Sequence, residues 1–394
     1  MKIKDKNDRN LLFTASLTLF TLTIGVGIIS PILPVIASDM GAGGVLIGLI
    51  FSAFSISRLI FLPIFGKLSD RFGRRLFVLT GLFLYSLLAI LYAFARTPED
   101  LIAVRVFHGV SSAMVMPVIL AMVAEFSPPG KEGMYMGIAN RSIFLGMAFG
   151  PFIGGVISDI YSESHAFFSM AFLSLVTLVI ASLTVDDKRA PEVKKRQKDG
   201  LGRRVLIALI YRILNSVGRG SIMTFLPVYG YLIGLSYAQI GFLVFINLLI
   251  SGIIQPFGGV ISDKRGFVAP VLLSSILSSF LLYLIPLTPE FLMLTLISAF
   301  LGLTSAFSLP ALSGLVAYEG KLRGNVGSIM GYFSASKSLG RAAGPVIAGI
   351  VYDAGGQGMN GIYFAFTAAS ALTFLAGILF WIGIRDSDHV VEIE

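Results

Sequence analysis

Apolar residues along the chain are grouped into twelve long runs, and these runs predict the fold. Each holds about 20 or more mostly apolar residues, the length that a helix needs to cross the hydrocarbon core of a bilayer. We therefore predict an all-α membrane protein of 12 transmembrane helices. The expected spans are Leu11–Ala37, Gly43–Phe65, Leu76–Ala95, Leu101–Ala124, Gly137–Tyr161, Ala166–Val185, Arg204–Tyr231, Ala238–Ile261, Val268–Leu287, Phe291–Ala317, Val326–Tyr352 and Gly361–Ile384.

Composition supports lipid as the solvent of this chain. Hydrophobic residues make up 55% of it and charged residues 13%, whereas average soluble domains carry roughly 25% charged residues. A folded globule in water needs a polar exterior that this chain cannot supply. The sequence has no cysteine, which excludes disulfides and thiolate chemistry. We expect no metal and no cofactor.

The chain has a net charge of +8, and the positions of its basic residues indicate how it crosses the membrane. Of the 30 Lys and Arg residues, 22 lie on one predicted side of the membrane, counting Arg204, the first residue of its span, with the loop before it; one (Arg96) lies on the other side, and seven lie deeper within spans. Lys and Arg accumulate in cytoplasmic loops. We therefore expect a multi-pass protein of the inner (cytoplasmic) membrane with both termini in the cytoplasm, surrounded by membrane lipids and without a nucleic-acid partner.

The chain repeats itself in two halves. A charged stretch, 186–203, predicts a cytoplasmic linker between two six-helix bundles, 1–185 and 204–394. Residues recur at an offset of 193–194, in the pairs Pro34/Pro227, Gly48/Gly241, Asp70/Asp263, Gly109/Gly302, Pro117/Pro310, Gly137/Gly331, Gly146/Gly340, Gly150/Gly344, Pro151/Pro345 and Asp159/Asp353. The second, fifth, eighth and eleventh spans also end alike, in PIFGKLSD, PFIGGVISD, PFGGVISD and PVIAGIVYD. Such nested repeats characterise one class of secondary transporters, which work by alternating access.

The loop after the second predicted span carries a dense motif, GKLSDRFGRR, from Gly66 to Arg75, with a degenerate copy, GVISDKRG, ending at Gly266. Gly66 is expected to let two helices approach closely, and Gly73 to permit a tight turn. Asp70 can cap a helix or pair with a basic group.

These two loops resemble the signature of the major facilitator superfamily. The resemblance implies a latch in which Asp70 and Arg71, with Glu125, hold the cytoplasmic side closed. The residues expected at this gate are Gly66, Asp70, Arg71, Gly73, Arg74, Glu125 and Asp263. The alternative is that the charges merely retain the loop in the cytosol.

The fifth span resembles the antiporter signature of that family, which marks exporters. The residues that carry the likeness are Gly137, Gly146, Gly150, Pro151, Gly154 and Gly155. Small residues let transmembrane helices pack at short range, so ordinary close packing is the alternative interpretation. Two further segments, Ile24–Pro34 and Arg105–Gly109, are similar to motifs of the twelve-helix drug:proton antiporters, with His108 where that family usually has Gln.

The chain departs from those antiporters in its intramembrane charges. No Asp or Glu lies deep in a predicted span, and the charged or titratable residues inside are Arg58, Arg105, His108, Arg141, Arg212, Arg219, Lys337 and Arg341. Arg105, Arg141 and Arg212 lie nearer the span ends, where long side chains can snorkel to the interface. A charge at the bilayer centre costs about 2.5–3.5 kcal/mol. Pairing with a helix-end carboxylate such as Asp39, or with freed carbonyls, would offset that cost.

The functional interpretation of these cations is a positive substrate cavity formed by Arg58, Arg105, His108, Arg219, Lys337 and Arg341. No Gly-x4-Gly-Lys-[Ser/Thr] motif is present, so an ion gradient is the expected energy source. Lys337, destabilised as a cation by burial and by Arg341, is one candidate proton carrier, and His108, which titrates near neutral pH, is the other.

The sequence therefore predicts a monomeric secondary-active exporter, a proton-coupled antiporter of small amphipathic compounds. The alternative within transport is a dedicated organic-anion or lysolipid exporter or flippase. A membrane enzyme is disfavoured because the three histidines, 108, 165 and 389, have no ligand spacing and no nucleophile stands beside a base. A sensor with a transporter fold is disfavoured because no signalling domain is evident.

Overall fold

A computed structural model describes residues 6–127, 132–185, 201–322 and 326–391, and its described part is all helical. Twelve α-helices are formed in these ranges, with one 3-10 turn, Ile285–Leu287, after the ninth. The predicted fold class is confirmed. The helices are α1 Lys6–Asp39, α2 Gly44–Phe72, α3 Arg74–Tyr92, α4 Pro98–Phe126, α5 Glu132–Ile160, α6 Glu163–Thr184, α7 Arg203–Leu232, α8 Tyr237–Arg265, α9 Val268–Leu284, α10 Phe291–Leu322, α11 Val326–Ala354 and α12 Gly358–Val391.

Eleven of these helices are long and apolar enough to cross a membrane over their described residues. The exception is α11, where Lys337, Arg341 and many Gly and Ser residues lower the mean hydropathy. Its length of 29 residues still suffices for a crossing. A helix that is too polar to face lipid on all sides has to turn one face toward protein or water.

The described helices form two compact units with the same internal arrangement. The first lies within Met1–Met40, Ala53–Lys194 and Ser236–Phe242, and the second within Gly41–Ser52, Lys195–Leu235 and Leu243–Glu394. In the first unit, α1 packs on α5 and α6, and α3 packs on α4 and α6. In the second, α7 packs on α11 and α12, and α9 packs on α10 and α12. Most of the predicted linker, residues 186–200, lies outside the described residues.

Glycines let α1 and α5 meet backbone to backbone. A Cβ atom added at Gly150 would lie 2.6 Å from the carbonyl oxygen of Ile24 and 2.7 Å from the Cα atom of Gly27. At Gly154 it would lie 2.6 Å from the carbonyl oxygen of Ile28. Side chains of any size would force these helices apart, which is why small residues concentrate at this seam.

The same seam recurs between α7 and α11. A Cβ atom at Gly340 would lie 2.5 Å from Cβ of Ser216, and one at Gly344 would lie 2.6 Å from the carbonyl oxygen of Val217. A Cβ atom added at Gly220 would likewise lie 3.1 Å from the Cα atom of Gly344. Gly340 and Gly344 are the repeat partners of Gly146 and Gly150, so the repeat in sequence has become a repeat in packing.

Hydrogen bonds made by side chains reinforce the contacts of α6 with α1 and with α3. Thr21 and Thr177 join α1 to α6 through their hydroxyls at 2.8 Å. Ser174 donates to the carbonyl of Leu82 at 3.0 Å and so joins α6 to α3. Interhelical bonds of this kind help hold a bundle together where no hydrophobic force acts between helices in lipid.

Two aspartates cap helices that come from the other half of the sequence. Asp353, near the end of α11, accepts hydrogen bonds from the amides of Gly44 (2.7 Å) and Val45 (3.0 Å) at the start of α2. Asp159, near the end of α5, accepts from Tyr237 (2.9 Å) and Ala238 (2.8 Å) at the start of α8. A carboxylate satisfies free amides and the positive helix end together. These caps explain why the short segments Gly41–Ser52 and Ser236–Phe242 belong to the second and first units respectively.

The glycine seam predicts unequal effects of two alanine substitutions in α5. Gly150→Ala forces the backbones of α1 and α5 apart and should lower the free energy of unfolding by about 1–3 kcal/mol. Gly137, in the same helix, has no atom within 4 Å of its added Cβ, so Gly137→Ala should leave stability unchanged or raise it by up to about 1 kcal/mol. Thermal unfolding in detergent measures both, and equal losses would contradict this account of the seam.

Candidate functional site

A buried basic cluster lies inside the first unit, formed by Arg58 on α2 and by Arg105 and His108 on α4. Arg105 is 3% exposed and His108 is fully buried. Arg58 is half-buried and donates to the sulfur of Met116. Snorkelling of Arg105, which the sequence allowed, is therefore wrong, because its guanidinium lies 4.8 Å above the ring of Phe54 within the unit.

Aromatic rings surround His108 in this first cluster. The ring of Tyr85 meets it edge-on with 4.6 Å between centroids, and that of Phe54 at 5.1 Å. Nδ1 of His108 lies 2.9 Å from the hydroxyl of Tyr92, whereas Nε2 is buried with no hydrogen-bond partner among the described residues. An added proton on this imidazole would place a third positive charge beside Arg58 and Arg105.

A second basic cluster lies inside the second unit, formed by Arg212 and Arg219 on α7 and by Arg341 on α11. Arg212 and Arg219 are seven residues apart and share a face of α7. Arg341 directly follows Gly340, which meets Ser216 of α7. The contact of α7 with α11 at the Ser216–Gly340 seam brings them together. None of the three has a carboxylate within salt-bridge distance among the described residues.

Aromatic and polar side chains surround Arg212 in this second cluster. The guanidinium of Arg212 lies 4.8 Å above the ring of Phe333, a residue of α11. The hydroxyl of Tyr211 lies 2.8 Å from that of Ser275 and accepts from the amide of Asn215 at 3.4 Å. Sequence reasoning set Arg212 apart as a residue near a helix end, whereas the structure brings it together with Arg219 and Arg341.

Lys337 lies one turn before Arg341 on α11 and is half-buried. Three described acidic residues of the second unit lie near the ends of their helices. Glu319 pairs with Arg204 at 3.4 Å, Asp353 caps α2, and Asp263 is exposed. Arg141, on α5 of the first unit, is exposed.

Asp39 lines a shallow cavity of about 310 Å³ within the first unit, together with Glu163, Tyr92 and Phe167. It is an exposed residue at the end of α1. Within the described part of the chain, no three Asp, Glu or His side chains converge as metal ligands would.

The gate motif is mostly helical, and Arg74 is its central residue. α2 continues to Phe72 and α3 begins at Arg74, so the break between them is Gly73, with φ of 96°. The expected tight turn at Gly73 is confirmed, and Gly266 repeats it with φ of 82°. Arg74, whose side chain is 4% exposed, donates to Asp70 at 3.2 Å and to Glu125.

Two expectations for this motif are corrected. Arg74, not Arg71, contacts Glu125, because Arg71 lies before the Gly73 break, exposed and with its guanidinium 5.3 Å from the ring of Phe72. Gly66 was expected to permit a close helix approach, but a Cβ atom added there would meet nothing within 4 Å. The same open space surrounds Gly137, so the tight contacts of the α5 motif begin at Gly146.

The structure adds residues that sequence reasoning missed. Tyr85 and Tyr92 pack against His108, and Asp159 and Asp353 act as caps between elements distant in sequence. A signal for the caps was present, since both aspartates end repeated segments. No sequence pattern indicated the two tyrosines, because aromatic residues are common throughout spans of this kind.

The family model of the Major Facilitator Superfamily matches residues 15–214 and 208–393 of this chain. The chain therefore belongs to this superfamily, whose members are transporters, and it is a multi-pass membrane transporter that acts on a small-molecule substrate. It is similar over nearly its whole length to an uncharacterised MFS-type transporter of Methanocaldococcus jannaschii, with 28% identity covering 96% of this chain and 99% of that one.

Multidrug resistance protein 1 of Bacillus subtilis is 28% identical, with 88% of this chain and 90% of that one covered. Quinolone resistance protein NorA of Staphylococcus aureus is 29% identical over 48% of each chain. Among solved structures, a bacterial homologue of the human lysosomal transporter Spinster superposes with a TM-score of 0.83 at 14% identity, covering 97% of this chain and 98% of that one. That likeness concerns the fold.

The Arg74 contacts predict which gate arginine matters for stability. Arg74→Gln removes the partner of Glu125 and Asp70, whose side chains are 35% and 56% exposed, and should cost about 1–2 kcal/mol after allowance for that exposure. Arg71→Gln removes the same charge from an exposed position and should change stability by less than about 0.5 kcal/mol. Melting temperatures in detergent compare the two, and a larger loss for Arg71→Gln would overturn the assignment.

Proposed function

We propose that this transporter is a secondary-active exporter of small amphipathic compounds across the cytoplasmic membrane, acting as a proton-coupled antiporter by alternating access. The observation that carries the proposal is the similarity, over about nine-tenths of both chains, to a protein named for multidrug resistance. The glycine–proline motif of α5, which resembles an exporter signature, supports the same direction of transport.

The packing of α5 suits a helix that moves as one body with α1. Gly146, Gly150 and Gly154 place it in backbone contact with α1, so these two helices should move together. Pro151 lies inside a continuous helix, where its missing amide removes one backbone hydrogen bond. Motion is then concentrated at contacts made by helix ends, such as the aspartate caps of α2 and α8.

The residues of the two basic clusters limit which groups can couple proton movement to substrate movement. Antiport requires that the proton-bound and substrate-bound proteins prefer different conformations. Arginine keeps its charge throughout the physiological range, so the arginines cannot carry the proton. Lys337 and His108 are the groups in or beside the clusters that can gain and lose one.

Expression in a host that lacks its own efflux pumps tests the proposed function. The chain should raise the minimal inhibitory concentrations of several structurally unrelated amphipathic drugs, each by about fourfold or more. A roughly fourfold ratio of concentrations corresponds to a free-energy difference of about 1 kcal/mol. The host carrying the empty vector is the negative control. The variant Arg385→Gln, which changes an exposed residue of α12, should give the same resistance as the wild-type protein. Unchanged susceptibility to every compound at equal protein levels would refute broad export.

Coupling is tested separately in proteoliposomes with an imposed pH gradient. Lys337→Met should abolish gradient-driven movement of a drug that the wild-type protein transports, because the proton site is lost. His108→Gln makes the matching test of the competing carrier. If both variants retain gradient-driven transport, neither residue carries the proton and the coupling mechanism proposed here is wrong.

A further inference from the structure

We propose that Arg212, Arg219 and Arg341 form a binding site for an anionic group, a phosphate or carboxylate, on the amphipathic substrate. The inference rests on the proposed function, since it names the chemical class of the exported compounds. The three residues belong to one compact unit, and all of them lie inside the helices α7 and α11.

The positions of the arginines on their helices bring them to one side of the seam. Arg212, Asn215 and Arg219 follow the spacing i, i+3, i+7 and therefore share a face of α7. The neighbouring face, which includes Ile213, Ser216 and Val217, packs against Gly340 and Gly344 of α11. Arg341 directly follows Gly340, so it borders the same seam from the other helix.

The exposure pattern of α11 indicates what Arg341 faces. Three exposed apolar residues, Tyr332, Leu339 and Ile350, lie on one face of the helix and are about half exposed. Arg341 is also exposed, together with Ser334. At 100° per residue, these two lie roughly opposite the apolar face. Lipid suits the apolar face, whereas a mid-helix arginine beside a serine needs water or a ligand.

The electrostatics of the cluster favour an anion. The three guanidinium groups carry like charges at neighbouring positions of the α7–α11 seam, and no described carboxylate lies within salt-bridge distance of them. The Nε atom of Arg212 is buried without a hydrogen-bond partner among the described residues. An anion would supply the missing acceptor and offset the repulsion, and guanidinium forks match the oxygens of phosphate and carboxylate well.

The surroundings explain why the anionic group should belong to an amphipathic molecule. Phe333 lies under Arg212, and Tyr211 lies beside it with its hydroxyl held by Ser275.

Exit of an anion is also favoured by an inside-negative membrane potential. The arginines stay charged at physiological pH, so binding of the anion requires no proton at this site.

Binding to the purified full-length protein in detergent tests the site without any gradient. Three probes share one aromatic body and differ in charge: naphthyl phosphate, naphthol and naphthylmethylammonium. By calorimetry, naphthyl phosphate should bind about tenfold or more tightly than the other two. Arg212→Gln, Arg219→Gln and Arg341→Gln should each weaken its binding by about tenfold or more, whereas Arg385→Gln removes a charge from the same unit and should not.

The controls separate this site from misfolding and from lipid. Arg219→Lys keeps the charge, so it should bind better than Arg219→Gln at an equal melting temperature. Tighter binding of the ammonium probe, or unchanged phosphate binding in all three glutamine variants, would overturn the proposal. So would binding of phosphatidylglycerol in mixed micelles with no binding of naphthyl phosphate, since the site would then hold a lipid headgroup. Loss of pH-driven export with anion binding intact would instead count against the coupled antiporter.

Discussion

Close contact between helix backbones is the interaction on which the rest of this structure depends. In lipid, helices gain nothing from hiding apolar side chains from one another, so they associate through tight packing and hydrogen bonds. Glycines at the α1–α5 and α7–α11 seams allow that packing, since Cβ atoms added at Gly146, Gly150, Gly154, Gly340 and Gly344 would meet backbone atoms at 2.6–2.7 Å. Each seam also fixes the rotation of its two helices, and so decides which of their side chains face each other.

The arginines can be understood as a consequence of that rotation. Intramembrane cations are costly, and they are retained where protein or water receives them. In the first unit, aromatic rings and a methionine sulfur surround Arg58, Arg105 and His108. In the second unit, the seam gathers Arg212, Arg219 and Arg341 at one place with no described acidic partner. Neither cluster has a described carboxylate within salt-bridge distance. The first is enclosed by rings, whereas Arg341 of the second is exposed.

Acidic residues of this chain work at helix ends. Asp159 and Asp353 cap α8 and α2, and Glu125 and Asp70 hold Arg74 where α2 turns into α3. At such positions a carboxylate remains close to water, and it satisfies amides or a guanidinium at small desolvation cost. With the described acidic residues placed at helix ends, the charges inside the spans are basic.

The sequence by itself determined the helical fold, the twelve runs, the internal repeat and the superfamily. Those properties follow from local hydropathy and from residues close together in the chain, because a backbone in lipid must satisfy its own hydrogen bonds. The turn at Gly73 was also foreseen, since positive φ is a local demand.

Only the tertiary structure decided which charged residues meet. The resemblance of the motif implied Arg71 as the partner of Glu125, and the packing of α3 on α4 selects Arg74 instead. Arg212 looked like a residue that could snorkel, and the α7–α11 seam placed it with Arg219 and Arg341. Arg74 and Glu125 are 51 positions apart, and Arg212 and Arg341 are 129 positions apart, so the geometry of such contacts is set by packing across the whole unit and is absent from any local pattern.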